Sequence, residues 1–347
     1  MRATRAAVQL LAPVALVVVA GLLGTLFERE TEIYFINSLI AVVVVVALYL
    51  FVGNSGVLSF GHVSFVAVGA WAAGVLSIPQ EEKTAIYPSL WGFLADTTVG
   101  NVPSLAIAAA VGGAYAVLVG LPLMRLSGLA AGIATFAVLE ITHNVLRYYE
   151  KIGPGPQAFS SVPETTGLLQ AAAGGVVAIA VAFAYQRSRF GRLLRATRED
   201  AAAARAVGVS VYRQRLWAFA LSGAVAGFAG GLYVHLLPLT TEEVYLSLTF
   251  ITLAMLVIGG ATSLLGAVVG ALAVSALDSF LAEAEAGIGI AGGTLDLPAG
   301  SRIVVVGALM ALVLILRPSG LTGGRELSLD RLLRRPPPRP LAERGAE

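Results

Sequence analysis

The stretch from Ile33 to Val52, IYFINSLIAVVVVVALYLFV, runs for twenty residues without a charged side chain. A helix needs about 20 apolar residues to cross the hydrocarbon core of a bilayer. Reading outward on that basis gives ten candidate spans, at 8–27, 33–52, 57–78, 102–124, 126–146, 168–185, 216–237, 244–258, 264–281 and 303–316. The eighth and tenth are short, which suits a re-entrant or half-buried segment. The expected fold is all-α: a polytopic transmembrane helical bundle of about ten spans, eight at the fewest, with both termini cytoplasmic.

Composition leads to the same class. Of the 347 residues, 57% are hydrophobic and 13% charged, and the mean hydropathy is +0.83; soluble chains carry roughly a quarter charged residues. Apolar segments recur along nearly the whole chain, so one membrane domain is expected over 1–324, with a polar tail rich in Arg and Pro over 325–347. The absence of cysteine excludes disulfides, Cys-ligated metal and thiol catalysis. Met1-Arg2-Ala3-Thr4-Arg5 and the run behind it have the look of a secretory signal. Gly24-Thr25-Leu26-Phe27-Glu28 is a poor cleavage site, however, and a retained first span is expected.

Short cytoplasmic loops carry an excess of Lys and Arg. Threading ten spans from a cytoplasmic N-terminus places 18 of the 23 basic residues inside. Arg29, Lys83, Arg147, Lys151 and Arg302 fall outside or near the outer face, among most of the acids.

Eight of the internal arginines lie in the loop 187–215. Thr197-Arg198-Glu199-Asp200 has the form of a capping box, in which Thr197 bonds the Asp200 amide and Asp200 reaches back. Ala201 to Val207 has high helix propensity, and Gly208 is placed to stop it in the left-handed conformation. Ser210 is placed to cap the next span. The expectation is one short helix from about Arg198 to Val207, outside the bilayer, suited either to a groove on a cytoplasmic partner or to lipid phosphates.

The blocks Ser188-Arg189-Phe190-Gly191-Arg192, Arg195-Ala196-Thr197-Arg198-Glu199-Asp200, Ala203-Ala204-Arg205-Ala206-Val207-Gly208 and Ala218 to Leu232 resemble the branched-chain amino acid ABC permeases of the LivM and LivH type. Leu58-Ser59-Phe60-Gly61-His62, Arg125-Leu126-Ser127-Gly128-Leu129, Gly259-Gly260-Ala261-Thr262-Ser263 and Arg317-Pro318-Ser319-Gly320-Leu321 extend the resemblance, in the family's order, from about Leu39 to Leu321.

The resemblance implies an importer in the cell (inner) membrane, built with a second permease subunit, two cytoplasmic ATP-binding subunits that use ATP and Mg, and an external solute-binding protein. It implies that Thr197, Glu199, Asp200, Ala203, Ala204, Arg205 and Gly208 couple to the ATPase. The general loop pattern Glu-Ala-Ala-x-x-x-Gly places Ala202 where its Glu would stand. Membrane lipid is an expected partner and nucleic acid is not.

For the solute path, Gly53-Asn54-Ser55-Gly56 and Gly259-Gly260-Ala261-Thr262-Ser263 interrupt apolar segments at matching places and hint at an internal duplication. Such breaks suit either the lining of a cavity or close helix packing. Ser59 and His62 follow the first break; His62 has no second ligand at metal spacing. Glu140, His143 and Arg147 share one helix face, which suits a polar solute or a self-satisfied network, and Asp278 is similar.

The chain lacks the G-x-x-x-x-G-K-[ST] loop, H-E-x-x-H and G-x-S-x-G, so a transport subunit without bound cofactor or metal is expected, not an enzyme. A secondary transporter or channel driven by an ion gradient, for a small solute such as urea or an amide, is the alternative; Glu140, His143 and Asp278 would titrate in it. A membrane scaffold is a third reading.

Overall fold

The computed structural model describes residues 2–324 except 160, 291, 292, 296, 299 and 318. The expected tail, 325–347, lies outside the described residues. Among the described residues, seven helices are long and apolar enough to cross a membrane: α1 (Arg2–Gly24), α2 (Arg29–Ser55), α6 (Asn101–Leu123), α7 (Gly128–Tyr148), α8 (Leu168–Arg187), α11 (Val211–Val234) and α13 (Leu264–Ala286). An eighth span is broken, with α3 (His62–Ser77) and α4 (Gln80–Ile86) bent by 113°. α12 (Leu246–Gly259) and α14 (Ser301–Leu316) are shorter apolar helices. Each expected span thus has its helix, and the fold is an all-α polytopic bundle.

Smaller elements fill the connections: α5 (Gly92–Ala95), α9 (Arg189–Glu199) and α10 (Ala201–Ala206). A hairpin of two three-residue strands, β1 (Ile288–Ile290) and β2 (Gly293–Leu295), pairs Ile288 with Leu295. It was not expected from the sequence.

α2 is the axis of the bundle. A helix that is hydrophobic on every side must be surrounded, and every residue from Val42 to Ser55 is buried, against α8, α11, α12 and α13. The third expected span needs correcting: it begins at His62, not Val57. Gly56, in the left-handed conformation at φ 71°, ends α2 with its N–H bonded to the Val52 carbonyl. Residues 57–61 then run without helix along α7, where the Phe60 amide donates to Thr135 Oγ1 at 3.1 Å.

α11 packs against α3 and α6 through glycines that let backbones touch. A Cβ on Gly230 would stand 2.0 Å from the Val66 carbonyl oxygen, and one on Gly227 2.3 Å from that of Ala108. Neither neighbour is the movable end of a side chain. Gly230→Ala is therefore expected to destabilise the folded chain by about 1–3 kcal/mol, read as a lowered melting temperature in detergent. Gly92→Ala, where a Cβ meets nothing within 4 Å, is the neutral control.

Candidate coupling and translocation sites

The sequence 187–215 folds as two short helices rather than the single one expected. Ser188 caps α9, its Oγ accepting from the Gly191 amide at 3.2 Å. α9 ends at Glu199 because Asp200 takes an extended conformation, φ −150° and ψ 106°. Asp200 then caps α10, its carboxylate accepting from the amides of Ala202 at 2.8 Å and Ala203 at 2.9 Å. These bonds, Ala203 first and Ala202 second, hold the Asp200 carboxyl below its usual pKa. The cap is therefore charged at neutral pH and is lost as pH falls through that lowered value.

The expected capping role of Thr197 is thus corrected. Thr197 sits buried inside α9 and donates to the Leu194 carbonyl at 2.7 Å, and the Asp200 amide donates to the Ala196 carbonyl instead. The stop at Gly208 is as expected, with φ +81°. The Gly208 amide donates to the Arg205 carbonyl and the Val209 amide to that of Ala204, the paired bonds of a Schellman turn. Ser210 caps α11, accepting from the Arg213 amide at 3.4 Å.

α9 is bound to the bundle and α10 is offered outward. Leu194 is fully buried. Arg198 Nη1 donates to the Gly53 carbonyl at 2.7 Å, which places a cation at the C-terminal end of α2, where the helix dipole favours it. Gln186, just before α9, accepts from the Tyr49 hydroxyl of α2 at 2.8 Å. In contrast, Glu199, Asp200, Ala202, Ala203, Arg205, Ala206, Val207 and Gly208 are exposed, and Ala204 turns inward.

The two small-residue breaks meet. A Cβ on Gly53 would lie 2.7 Å from the Ala261 carbonyl oxygen. α12 ends at Gly259, followed by Gly260 at φ +119°, and Ser263 caps α13 by accepting from the Gly266 amide at 3.1 Å. The last turn of α12 leaves carbonyls without helical partners. The segment 319–324 satisfies them: the Leu321 amide donates to Ile258, and the Thr322 amide and hydroxyl both donate to Gly259. Gly259 packs on α13 so closely that a Cβ would lie 2.0 Å from the Gly266 oxygen.

Asn54 is buried, with Nδ2 donating to the Leu50 carbonyl at 3.0 Å, and Ser55 Oγ accepts from the Val57 amide. His62 sits among Phe51, Phe65 and Phe219, with Nδ1 2.7 Å from Ser59 Oγ and Nε2 2.7 Å from Ser222 Oγ. Ser222 donates its own proton to the Ala47 carbonyl at 2.6 Å. It must therefore accept from His62, so Nε2 carries the ring proton and Nδ1 accepts from Ser59. This chain of bonds ties α2, α3 and α11 together.

Glu140, His143 and Arg147 share one face of α7, but they do not pair with one another. Apart from Asn144 on α7 itself, their partners lie on the segment leading into α12, which the sequence does not reveal. Glu140 accepts from the Tyr245 hydroxyl and from Asn144 Nδ2. The His143 ring stacks on Tyr245, with centroids 3.9 Å apart and planes at 13°. Glu242 pairs with Arg147 and stands 3.6 Å from His143 Nε2. The spacing of acids in Glu242-Glu243 was the available signal, but a partner almost a hundred residues away leaves no periodic mark.

Several cavities open between the described elements, two of them beside the segments just described. One, of about 610 Å³, lies between α3, α5, α6 and α7 and is almost wholly apolar, with Trp71, Phe93, Ile107 and Val145 in its wall. The other, of about 420 Å³, lies between α2, α11, α12, α13 and α14 and is lined by charged and apolar groups together. None of Asn54, Ser55, Ser59, His62, Glu140, His143, Gly259 and Gly260 lines either cavity.

No solved structure matches the chain. It is 27% identical over 346 residues to the high-affinity branched-chain amino acid transport system permease protein LivM of Escherichia coli (strain K12), covering 89% of this chain and 73% of that protein. The LivM protein of Salmonella typhimurium is 26% identical over 345 residues, with 88% and 73% covered. The probable branched-chain amino acid transport permease protein LivH of Methanocaldococcus jannaschii is 32% identical over 150 residues, 42% of this chain and 45% of its own length. A family model described as branched-chain amino acid transport system, permease component, matches residues 31–314. That match spans most of the chain and covers α3 to α13 whole, with α2 from its third residue on; the chain is a multi-pass membrane protein and belongs to the family of branched-chain amino acid transport permease components.

Proposed function

We propose that this chain forms one membrane-spanning half of an ATP-driven importer for branched-chain or closely related small amino acids in the cell membrane. A second permease subunit completes the path. Two cytoplasmic ATP-binding subunits hydrolyse ATP with Mg, and an external solute-binding protein delivers the solute. The family match supports the transport role, and the way α9 and α10 are held supports ATP coupling.

The observation that carries the coupling is the Arg198–Gly53 bond. α10 offers a small, shallow surface of Ala202, Ala203, Arg205, Ala206 and Val207, with Val207 78% exposed. α10 joins directly to α9 through Asp200. α9 in turn grips the end of α2 through Arg198, beside the place where the two breaks meet. A push on α10 by a subunit below is thereby delivered to the point where α2 and α12 lose their helix. The same bonds suit a cytoplasmic position for this loop, which its arginines also favour.

Three tests follow from this reading. Gly208→Val meets no neighbouring atom, so its effect comes from the left-handed backbone, about 1–2 kcal/mol. Together with Arg205→Glu it is expected to insert normally yet lose solute-stimulated ATP hydrolysis in the reconstituted complex; full coupled hydrolysis in both would make the loop a passive connector. Arg198→Gln, which leaves the α10 surface intact, should retain ATPase association while uncoupling hydrolysis from uptake. Tags at Ala201 should be reached only from the cytoplasm, and tags after Ala95 or Ala286 only from outside.

A further inference from the structure

We propose that the cavity of about 420 Å³ between α2, α11, α12, α13 and α14 is a solute site, and that it takes a zwitterionic amino acid with an aliphatic side chain. This rests on the importer reading above and names the site within it. Arg302 holds the carboxylate, Asp278 the ammonium group, and the apolar wall of α12 the side chain.

The volume lies within the roughly 300–1,000 Å³ typical of small-molecule sites. Its wall combines three chemistries. Arg302 of α14 supplies a guanidinium, whose fork matches a carboxylate. Glu242, Glu243 and Asp278 supply negative charge, and Leu248, Ile251 and Met255 form an apolar strip.

The acids are not equivalent. Glu242 is engaged by Arg147, and Glu243 Oε2 accepts from the Thr240 amide at 2.7 Å. Asp278 Oδ1 is buried and stands 3.3 Å from Arg302 Nε, yet it has no hydrogen-bond partner. The two groups form an ion pair, but one without the geometry of a hydrogen bond. Asp278 thus keeps an unfilled acceptor on a membrane helix, where an unsatisfied ionised group is costly. An α-amino acid that takes over this pairing satisfies both groups: its carboxylate takes the Arg302 N–H groups and its ammonium donates to Asp278.

The pair also stands at a boundary. Asp278, Arg302, Ser247 and Ile251 border a second cavity of about 280 Å³, whose other walls include Phe250, Ala254, Ile303, Val306 and Met310. A ligand held by its charged end at Asp278 and Arg302 therefore has apolar space beside it for a branched aliphatic chain. A neutral solute such as urea carries no charges with which to take over an ion pair of guanidinium and carboxylate.

The test uses proteoliposomes holding the full-length chain assembled with its partner subunits, with uptake of labelled leucine as the readout. Isovalerate, which lacks the ammonium, and isopentylamine, which lacks the carboxylate, should each compete at least about a hundredfold more weakly than leucine. Arg302→Gln and Asp278→Asn should each raise the KM for leucine roughly tenfold or more. Ile251→Phe leaves both charges in place and narrows the apolar wall. It should shift the ratio of KM values for leucine and alanine about fivefold toward alanine, a ratio that does not depend on how much protein folds. Leucine uptake with an unchanged KM in the charge variants, or an unchanged ratio in Ile251→Phe, overturns this site and leaves the importer reading standing. A complex that carries urea and no amino acid overturns both.

Discussion

Inside a bilayer a backbone N–H or C=O has no water to turn to, so a helix that stops at membrane depth must have its last carbonyls satisfied by protein. This chain stops two helices, α2 and α12, at places that touch each other through Gly53 and Ala261. Distant segments complete each end. Arg198 reaches the Gly53 carbonyl from α9, and Leu321 with Thr322 closes Ile258 and Gly259 from beyond α14. The position of α9 and the path of the chain after α14 both follow from this requirement. So does the need for small residues: Gly259 and Gly53 lie against backbone atoms that leave no room for a side chain.

Around that junction the bundle is held by two kinds of contact. Glycines on α11 bring its backbone against α3 and α6, where attraction comes from many close atom pairs rather than from expelling water. Buried polar chains then fix the register. His62 joins Ser59 to Ser222, and His235, at the end of α11, bonds Ser104, Ser77 and the Pro163 carbonyl. Each histidine links three parts of the chain. α7 is attached differently: its polar face is clasped by Tyr245 and Glu242, and on its other side lies the large apolar cavity. The segment that clasps α7 also lines the charged cavity through Glu242 and Glu243. Any motion of α7 therefore bears on the wall of that cavity.

The candidate path residues separate on this structure. Gly259, Gly260 and Gly53 serve contact between backbones, and His62 serves the core. Groups of opposite charge share an open space elsewhere: Arg302 and Asp278 with Glu242 and Glu243, and Arg29 with Glu32 and Glu164. Arg302 attracted no attention in the sequence beyond its place near one face. A single arginine ahead of an apolar run reads equally well as a membrane-boundary residue.

The sequence by itself determined the class of the molecule, since apolar runs of span length have only one solvent that suits them. It also determined the helices within one or two turns, the stop at Gly208, the cap at Ser210, and the family, through blocks that keep their order along the chain. These are local properties or direct matches of residue to residue. It misplaced the Thr197 cap, because a capping box depends on which residue leaves the helix, and Asp200 leaves it where Thr197 stays in. The start of the third span was misjudged for a similar reason: residues 57–61 are apolar enough for a helix but are drawn out against Thr135 of α7. Only the tertiary structure decided that the two glycine breaks meet, that Arg198 bonds the last turn of α2, and that Asp278 and Arg302 pair in the wall of a cavity. Such contacts join residues far apart in the chain, and neither hydrophobic period nor local propensity records which distant segment arrives to satisfy a buried polar group.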